Sequence, residues 1–302
     1  MDVPQREVER IVAFGPVGIS GGLRQWALNS GTELVFLSLR GKLLGVTQSG
    51  HSRQVMRRVA QYDLLREREF AESLGRAFIA GKIANSRALL RRRAHQSPGG
   101  AVSQAITSLG ESRPNAGHIA DSLMGVEGAA AHTYWSAFRA LLPEQLGFEG
   151  SKYRPAPDVV NAALSMLCTL LTGEAVGALA AAGLDPAFGA LHRPQDSRPS
   201  LALDLIEEFR PLIVDSTVLE MAGRGMLKAA PATADPQAGV RLQTKSLRQL
   251  FQRYEARMTT VVHHVPSGMK CSYRRALHLQ AESVARCIKR HAVTSQATGR
   301  RV

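Results

Sequence analysis

The feature that most constrains this fold is a change of pattern near Val55. Before it, short apolar runs alternate with glycine: Arg10-Ile-Val-Ala-Phe14, Leu34-Val-Phe-Leu-Ser-Leu39 and Leu43-Leu-Gly-Val46 read as β-strands. Between the first two, Gly21 to Gly31 places Leu23, Trp26 and Ala27 at helical spacing and stops at Asn29-Ser30-Gly31, so one short helix crosses from strand to strand. After Val55 the periodicity is that of long helices. The pattern predicts an α+β chain: a small β-rich domain over 1–55, a larger all-α domain over 56–293, and a polar tail over 294–302 that lacks periodicity and reads as disordered. Three strands and one helix cover little apolar surface, so the first domain is expected to lean on the rest of the chain or on a second copy. Gln96-Ser-Pro-Gly-Gly100 reads as a loop, and Leu227 to Gly239 as another or as a flexible insertion.

Charge narrows the class of partner. Lys and Arg number 38 against 25 Asp and Glu among 302 residues, a net +13, which favours a polyanion and most simply nucleic acid. A merely basic enzyme from an arginine-rich genome is the plain alternative. Arginines crowd the helical stretches from Arg57 and Arg58 to Arg93, and again at Arg241, Arg248, Arg274 and Arg275, where they offer a path for DNA phosphates or simply solvate helix faces and pair with Glu67, Glu69 and Glu72. Cys168, Cys271 and Cys287 form no CxxC pair, which argues against a disulfide framework or zinc cluster and fits a reducing cytoplasm. The most apolar stretch, Val159 to Gly183, is interrupted by Asn161, Ser165, Thr169, Thr172 and Glu174, and so reads as buried helix and not as a membrane span.

The chemistry-bearing residues lie between Glu127 and Glu207. A helix entered near Pro199 puts Asp204, Glu207 and Glu208 at i, i+3 and i+4, crowding three carboxylates on one side. Such crowding gains nothing unless a cation stands opposite, although a solvated acidic face paired to Arg198 or Arg210 would also account for it. Leu184-Asp-Pro reads as a turn that starts a short helix with His192 near its end. Gly125-Val-Glu-Gly128 reads as the opening of an Ala-rich helix, where dipole complementarity alone would explain Glu127. His263, His264 and His278 stand apart from the acidic helix and read as structural.

Glu127-Gly-Ala-Ala-Ala with Tyr134-Trp135, Val160-Asn-Ala-Ala-Leu-Ser165, Leu170-Leu-Thr-Gly-Glu174, Gly183-Leu-Asp-Pro with Gly189 and His192, and Arg198 to Pro211 resemble the CRISPR-associated integrase and endonuclease family called Cas-one. The resemblance extends upstream to Ile11-Val-Ala-Phe-Gly15 and downstream to Arg275-Ala-Leu-His-Leu-Gln-Ala-Glu-Ser-Val-Ala-Arg286, in the family's order. It implies that Glu127, His192 and Glu207 are catalytic and bind a divalent metal, with Asp204 close enough to assist. A hard, oxygen-rich site with one imidazole suits Mg²⁺ or Mn²⁺ better than zinc. It further implies insertion of spacer DNA into a CRISPR array by 3′-hydroxyl attack, DNA (spacer fragments and the CRISPR repeat) as substrate, and a homodimer that flanks a Cas-two dimer. Relatives begin with additional strands, so about thirty residues of the β domain, several strands at ordinary length, are expected to be missing and the domain truncated. Two other readings stand beside this one: a non-catalytic DNA-binding or scaffold remnant, and a transposon-type integrase of the same family.

Overall fold

The computed structural model describes residues 8, 10–30, 32–37, 43–47, 54–96, 100–112, 120–152, 155–229 and 239–297. Strand β1 (Arg10–Phe14) pairs in parallel with β2 (Glu33–Leu37) through the crossing helix α1 (Gly21–Ser30). Strand β3 (Leu43–Val46) then adds antiparallel to the other side of β2, with a register irregularity at Phe36/Leu37. The order β1-β2-β3 puts β2 in the centre, where Leu34 and Val35 are buried. Strand β3 lies against the helical part, and Val12 and Val35 join the same apolar core as the helices. The small sheet therefore leans on its own chain, as its size requires.

The helices that follow are α2 (Val55–Arg66), α3 (Arg68–Arg93), α4 (Gly100–Glu111), α5 (Ala120–Ala140), α6 (Val159–Ala181) and α7 (Ser200–Arg210). A π-helical turn, Pro211–Asp215, leads directly into α8 (Ser216–Gly223), and α9 (Thr244–Met258) and α10 (Tyr273–Ala297) complete the set. Helix α6 is the axis of the core. Asp158 caps it by accepting the Asn161 amide at 2.8 Å. Gly183, at φ 76°, ends it with the paired backbone bonds Leu184 to Leu179 and Gly183 to Ala180. By length and composition α6 could cross a membrane, yet most of it is buried among α7, α8 and α10, which is the core role its polar interruptions predict.

Two expectations are corrected here. The helical domain is not all-α: β4 (Val261–His264) and β5 (Met269–Ser272) form an antiparallel hairpin turned at Gly268, φ 68°. The β-branched pair Val261-Val262 and the turn-forming Pro266-Ser-Gly268 favour extended chain over helix. The tail boundary also moves, because α10 runs to Ala297 with no glycine or proline to stop it before Gly299. Residues 298–302, and most of the expected loops (97–99 and 230–238), lie outside the described residues.

Candidate active site

Helices α3, α5 and α7 pack side by side, and each contributes one charged group to a common point. Lys82 Nζ from α3 lies 2.6 Å from Glu127 Oε1 on α5 and 2.8 Å from Glu207 Oε2 on α7. All three side chains are less than one-fifth exposed. The second contact is an ion pair without hydrogen-bond geometry, so Glu207 Oε2 is a buried oxygen that makes no hydrogen bond. Burial pushes the Glu207 carboxyl up, but Lys82 and Arg210 outweigh burial and hold its pKa below the usual carboxylate range, with His192 adding a smaller pull of the same sign. Burial likewise works against the Lys82 ammonium, and Glu207 and Glu127 overcome it to raise its pKa.

His192 reaches the site from a turn. The sequence reading expected a short helix over this segment, but residues 183–199 are turns and irregular chain. The reason is tertiary: neighbours supply the hydrogen bonds that a helix would make within itself. Asp204 of α7, fully buried, accepts the backbone N–H groups of Ala190 (2.6 Å), Leu191 (3.0 Å) and His192 (2.9 Å). It also lies 2.6 Å from His192 Nδ1. With three backbone donors already aimed at it the carboxylate is an acceptor, so Nδ1 donates, and Nε2 is the nitrogen that a neutral ring has for a ligand. Nε2 makes no hydrogen bond among the described residues. Gly189 is required for this approach, since a Cβ there would stand 2.7 Å from Asp204 Oδ2 and from the Ser200 carbonyl carbon.

Helix α2 fastens the other end of the turn. Gln61, buried, donates to the carbonyls of Asp185 (2.9 Å) and Phe188 (3.0 Å) and accepts from the Asp185 amide (2.8 Å). Tyr62 donates to Asp185 Oδ2 at 2.6 Å and sets its ring edge-on to Phe188. Asp185 itself accepts the Ala187 N–H, a turn cap and not a helix cap.

The structure thus brings Glu127 and Glu207 together around Lys82 and holds His192 through Asp204. Glu127 sits in the interior of α5, not in a first turn, so the dipole explanation for it no longer applies. Asp204 has its acceptor positions filled and acts through His192. Among the described residues, no three imidazole, thiol or carboxylate groups close on one another as a ready cluster; the ammonium takes the central place. Two residues that the sequence reading did not place in the site, Lys82 and the Arg210 it weighed only as partner of a solvated acidic face, enter it. Lys82 carried no local signal. Arg210 did, since it follows Glu207 by three positions on α7: its guanidinium stacks 5.0 Å from the Trp135 ring centre, with Nε 3.5 Å from Asp215 Oδ1. Tyr134 is buried and donates to Asp215 Oδ2 at 2.7 Å, a packing role. Lys82, Glu127, Trp135, Arg210 and Asp215 line a small cleft of about 30 Å³.

The basic residues expected to meet DNA divide in two. Arg248 and Arg275 are exposed, the latter 3.3 Å from Glu282. Arg57 donates to the Ala182 carbonyl, Arg58 is half-buried, and Arg274 is committed to the buried Glu174 (3.0 Å) and to Glu255 (2.8 Å).

Fold and site define a mostly helical α+β protein with two carboxylates paired across one lysine and an imidazole held by a buried carboxylate. The chain belongs to the family described as CRISPR associated protein Cas1, whose profile matches residues 1–256. It is 32% identical over 303 aligned positions to CRISPR-associated endonuclease Cas1 1 of Chlorobaculum tepidum, covering 95% of this chain and 86% of the relative. In fold it resembles a casposase bound to integration product, with TM-score 0.80, 23% identity, and coverage of 93% of this chain and 79% of that one. It also resembles a chain of a Cas6-RT-Cas1–Cas2 complex, with TM-score 0.77, 21% identity, and coverage of 94% of this chain but 31% of that one.

Proposed function

We propose that this protein is a metal-dependent DNA endonuclease and integrase of CRISPR adaptation, with Glu127, His192 and Glu207 as the residues that hold Mg²⁺ or Mn²⁺. The observation that carries the reading is the convergence of Glu127 and Glu207, from two different helices, on one cation 2.6 and 2.8 Å away. The donor set fits a hard divalent ion: two carboxylates, one of them with a buried oxygen lacking a hydrogen bond, and an imidazole whose Nδ1 is tied down so that Nε2 is presented. Such an ion, when bound, acts as a Lewis acid on a phosphodiester and orients the attacking oxygen.

The protein's own groups do the rest. Asp204 fixes the ring of His192 and its tautomer. Arg210, held over Trp135, and Lys82 supply positive charge for phosphate oxygens, and exposed arginines such as Arg248 and Arg275 extend that charge over the surface. With water as attacking group the site cuts DNA; with the 3′-hydroxyl of a spacer fragment, a new phosphodiester to a CRISPR repeat forms as the old one breaks. The relative's name as an endonuclease and the casposase's integration product support both activities. The Cas1–Cas2 complex supports Cas2 as a partner, and the assembly proposed is a homodimer of this chain flanking a Cas2 dimer.

Glu207→Ala should abolish Mn²⁺-dependent strand transfer into a supercoiled repeat-bearing plasmid while leaving salt-sensitive DNA binding in place. A variant that still joins strands would overturn the assignment. The casposase likeness supports a second reading, a transposon-type integrase acting outside CRISPR, and the neighbouring reading frames discriminate the two.

A further inference from the structure

We infer that Lys82 is an exchangeable counter-ion: its ammonium holds Glu127 and Glu207 together in the metal-free protein, and it leaves them when a divalent ion enters. The inference rests on the metal-site reading above. It begins from the contacts themselves, which use Glu127 Oε1 and Glu207 Oε2, one oxygen from each carboxylate that a metal would need. An ammonium 2.6 and 2.8 Å from those oxygens occupies the place of the ion. Retaining both would crowd an ammonium and a divalent ion against the same two oxygens in a buried site, where like charges are weakly screened.

Removing Lys82 with nothing in its place is equally unfavourable. Two carboxylates, both more than four-fifths buried, would then face each other unpaired. A cation is needed in either state, and a lysine on a four-carbon stem is the kind that can withdraw. The cleft lined by Trp135, Arg210 and Asp215 opens beside it and offers the ammonium somewhere to go. Helix α3 is pressed close to α7 one residue earlier: a Cβ on Gly81 would stand 2.8 Å from Glu208 Cγ. That close packing fixes the root of the Lys82 side chain while its tip exchanges. In this scheme metal uptake frees a cation at the site where DNA phosphate is expected, so loading the site also prepares it for substrate.

The test is Mn²⁺ binding, read from the paramagnetic resonance of free Mn²⁺ and from thermal unfolding, for the full-length wild type, Lys82→Met and Lys82→Arg. Without its competitor, Lys82→Met should bind Mn²⁺ about tenfold tighter or more. Its metal-free melting temperature should fall and its Mn²⁺-induced rise should exceed that of the wild type. Lys82→Arg, which keeps the charge, should stay near the wild-type affinity. In the wild type, Mn²⁺ should increase the labelling of the Lys82 amine by an acylating reagent, read by mass spectrometry, and this measurement decides the matter if Lys82→Met does not fold. Equal or weaker Mn²⁺ binding by Lys82→Met, or labelling that Mn²⁺ leaves unchanged, overturns the exchange and leaves the metal site standing. No Mn²⁺ binding by any of the proteins overturns the metal-site reading itself.

Discussion

Replacing Asp204 by Asn tests how the imidazole is held. The carboxylate is fully buried and accepts two hydrogen bonds at each oxygen: His192 N and Nδ1 at Oδ1, and the Ala190 and Leu191 amides at Oδ2. An asparagine of the same shape keeps one acceptor oxygen and turns an NH₂ toward two donors, so two bonds are lost whichever way the amide lies. Hydrogen bonds to a charged group contribute about 1.5–3 kcal/mol each, which puts the loss at about 3–6 kcal/mol, against about 5–15 kcal/mol for the net stability of a whole domain. Relaxation of the turn should bring the result toward the lower end. Urea unfolding of the metal-free protein measures that loss. Nitrogen NMR of the His192 ring reports whether Nδ1 still carries the proton. A stability loss under about 1 kcal/mol together with an unchanged tautomer would refute the idea that Asp204 sets the turn and the ring.

Two further predictions concern the same helix and the turn packed on it. Burial raises the Glu208 pKa to about 7, although the Gln280 side-chain amide, 2.9 Å away, pulls it down. Because the folded value lies above the unfolded one, the associated stability is full below about pH 4.5 and is lost as pH rises through about 7, a change of about 3 kcal/mol. Glu208→Gln should therefore gain on the metal-free wild type between pH 5 and pH 8 in denaturant titrations, and an equal difference at the two pH values would refute the assignment. Gly189→Ala should cost about 1–3 kcal/mol in thermal unfolding, because its Cβ would press on Asp204 and on the backbone of Ser200 and Leu201. Gly223→Ala, where a Cβ meets nothing within 4 Å, should cost nothing measurable and serves as the control.

What could be read along the chain was whatever local periodicity encodes. The switch from strands to helices near Val55 and the helix carrying Asp204, Glu207 and Glu208 both follow from spacing and are present, although the three carboxylates meet different partners: the 190–192 turn, Lys82 and Gln280. The turn bearing His192 was misread because Leu184-Asp-Pro has the grammar of a helix start, while the partners that keep it extended, Gln61 and Asp204, act from other elements. Lys82 was beyond reach for the same reason: its meaning comes from the crossing of α3 with α5 and α7, and in sequence it stands 45 residues from Glu127. The hairpin at Val261 to Ser272 did leave a local signal, in its β-branched pair and its Pro-Ser-Gly turn, which the surrounding helical periodicity overshadowed.

The clamp between Gln61 and Asp185 joins positions 124 residues apart. Contacts of that span form late in folding, because the chain between them must first be brought to a compact state that repays the entropy of closing so large a loop. The helices between them supply that state through their own apolar faces, and only the Asp185–Phe188 end of the His192 turn waits on α2. The turn is thus assembled at two ranges: its imidazole end is set by Asp204, 12 residues from His192, while its Asp185 end depends on a closure about ten times longer.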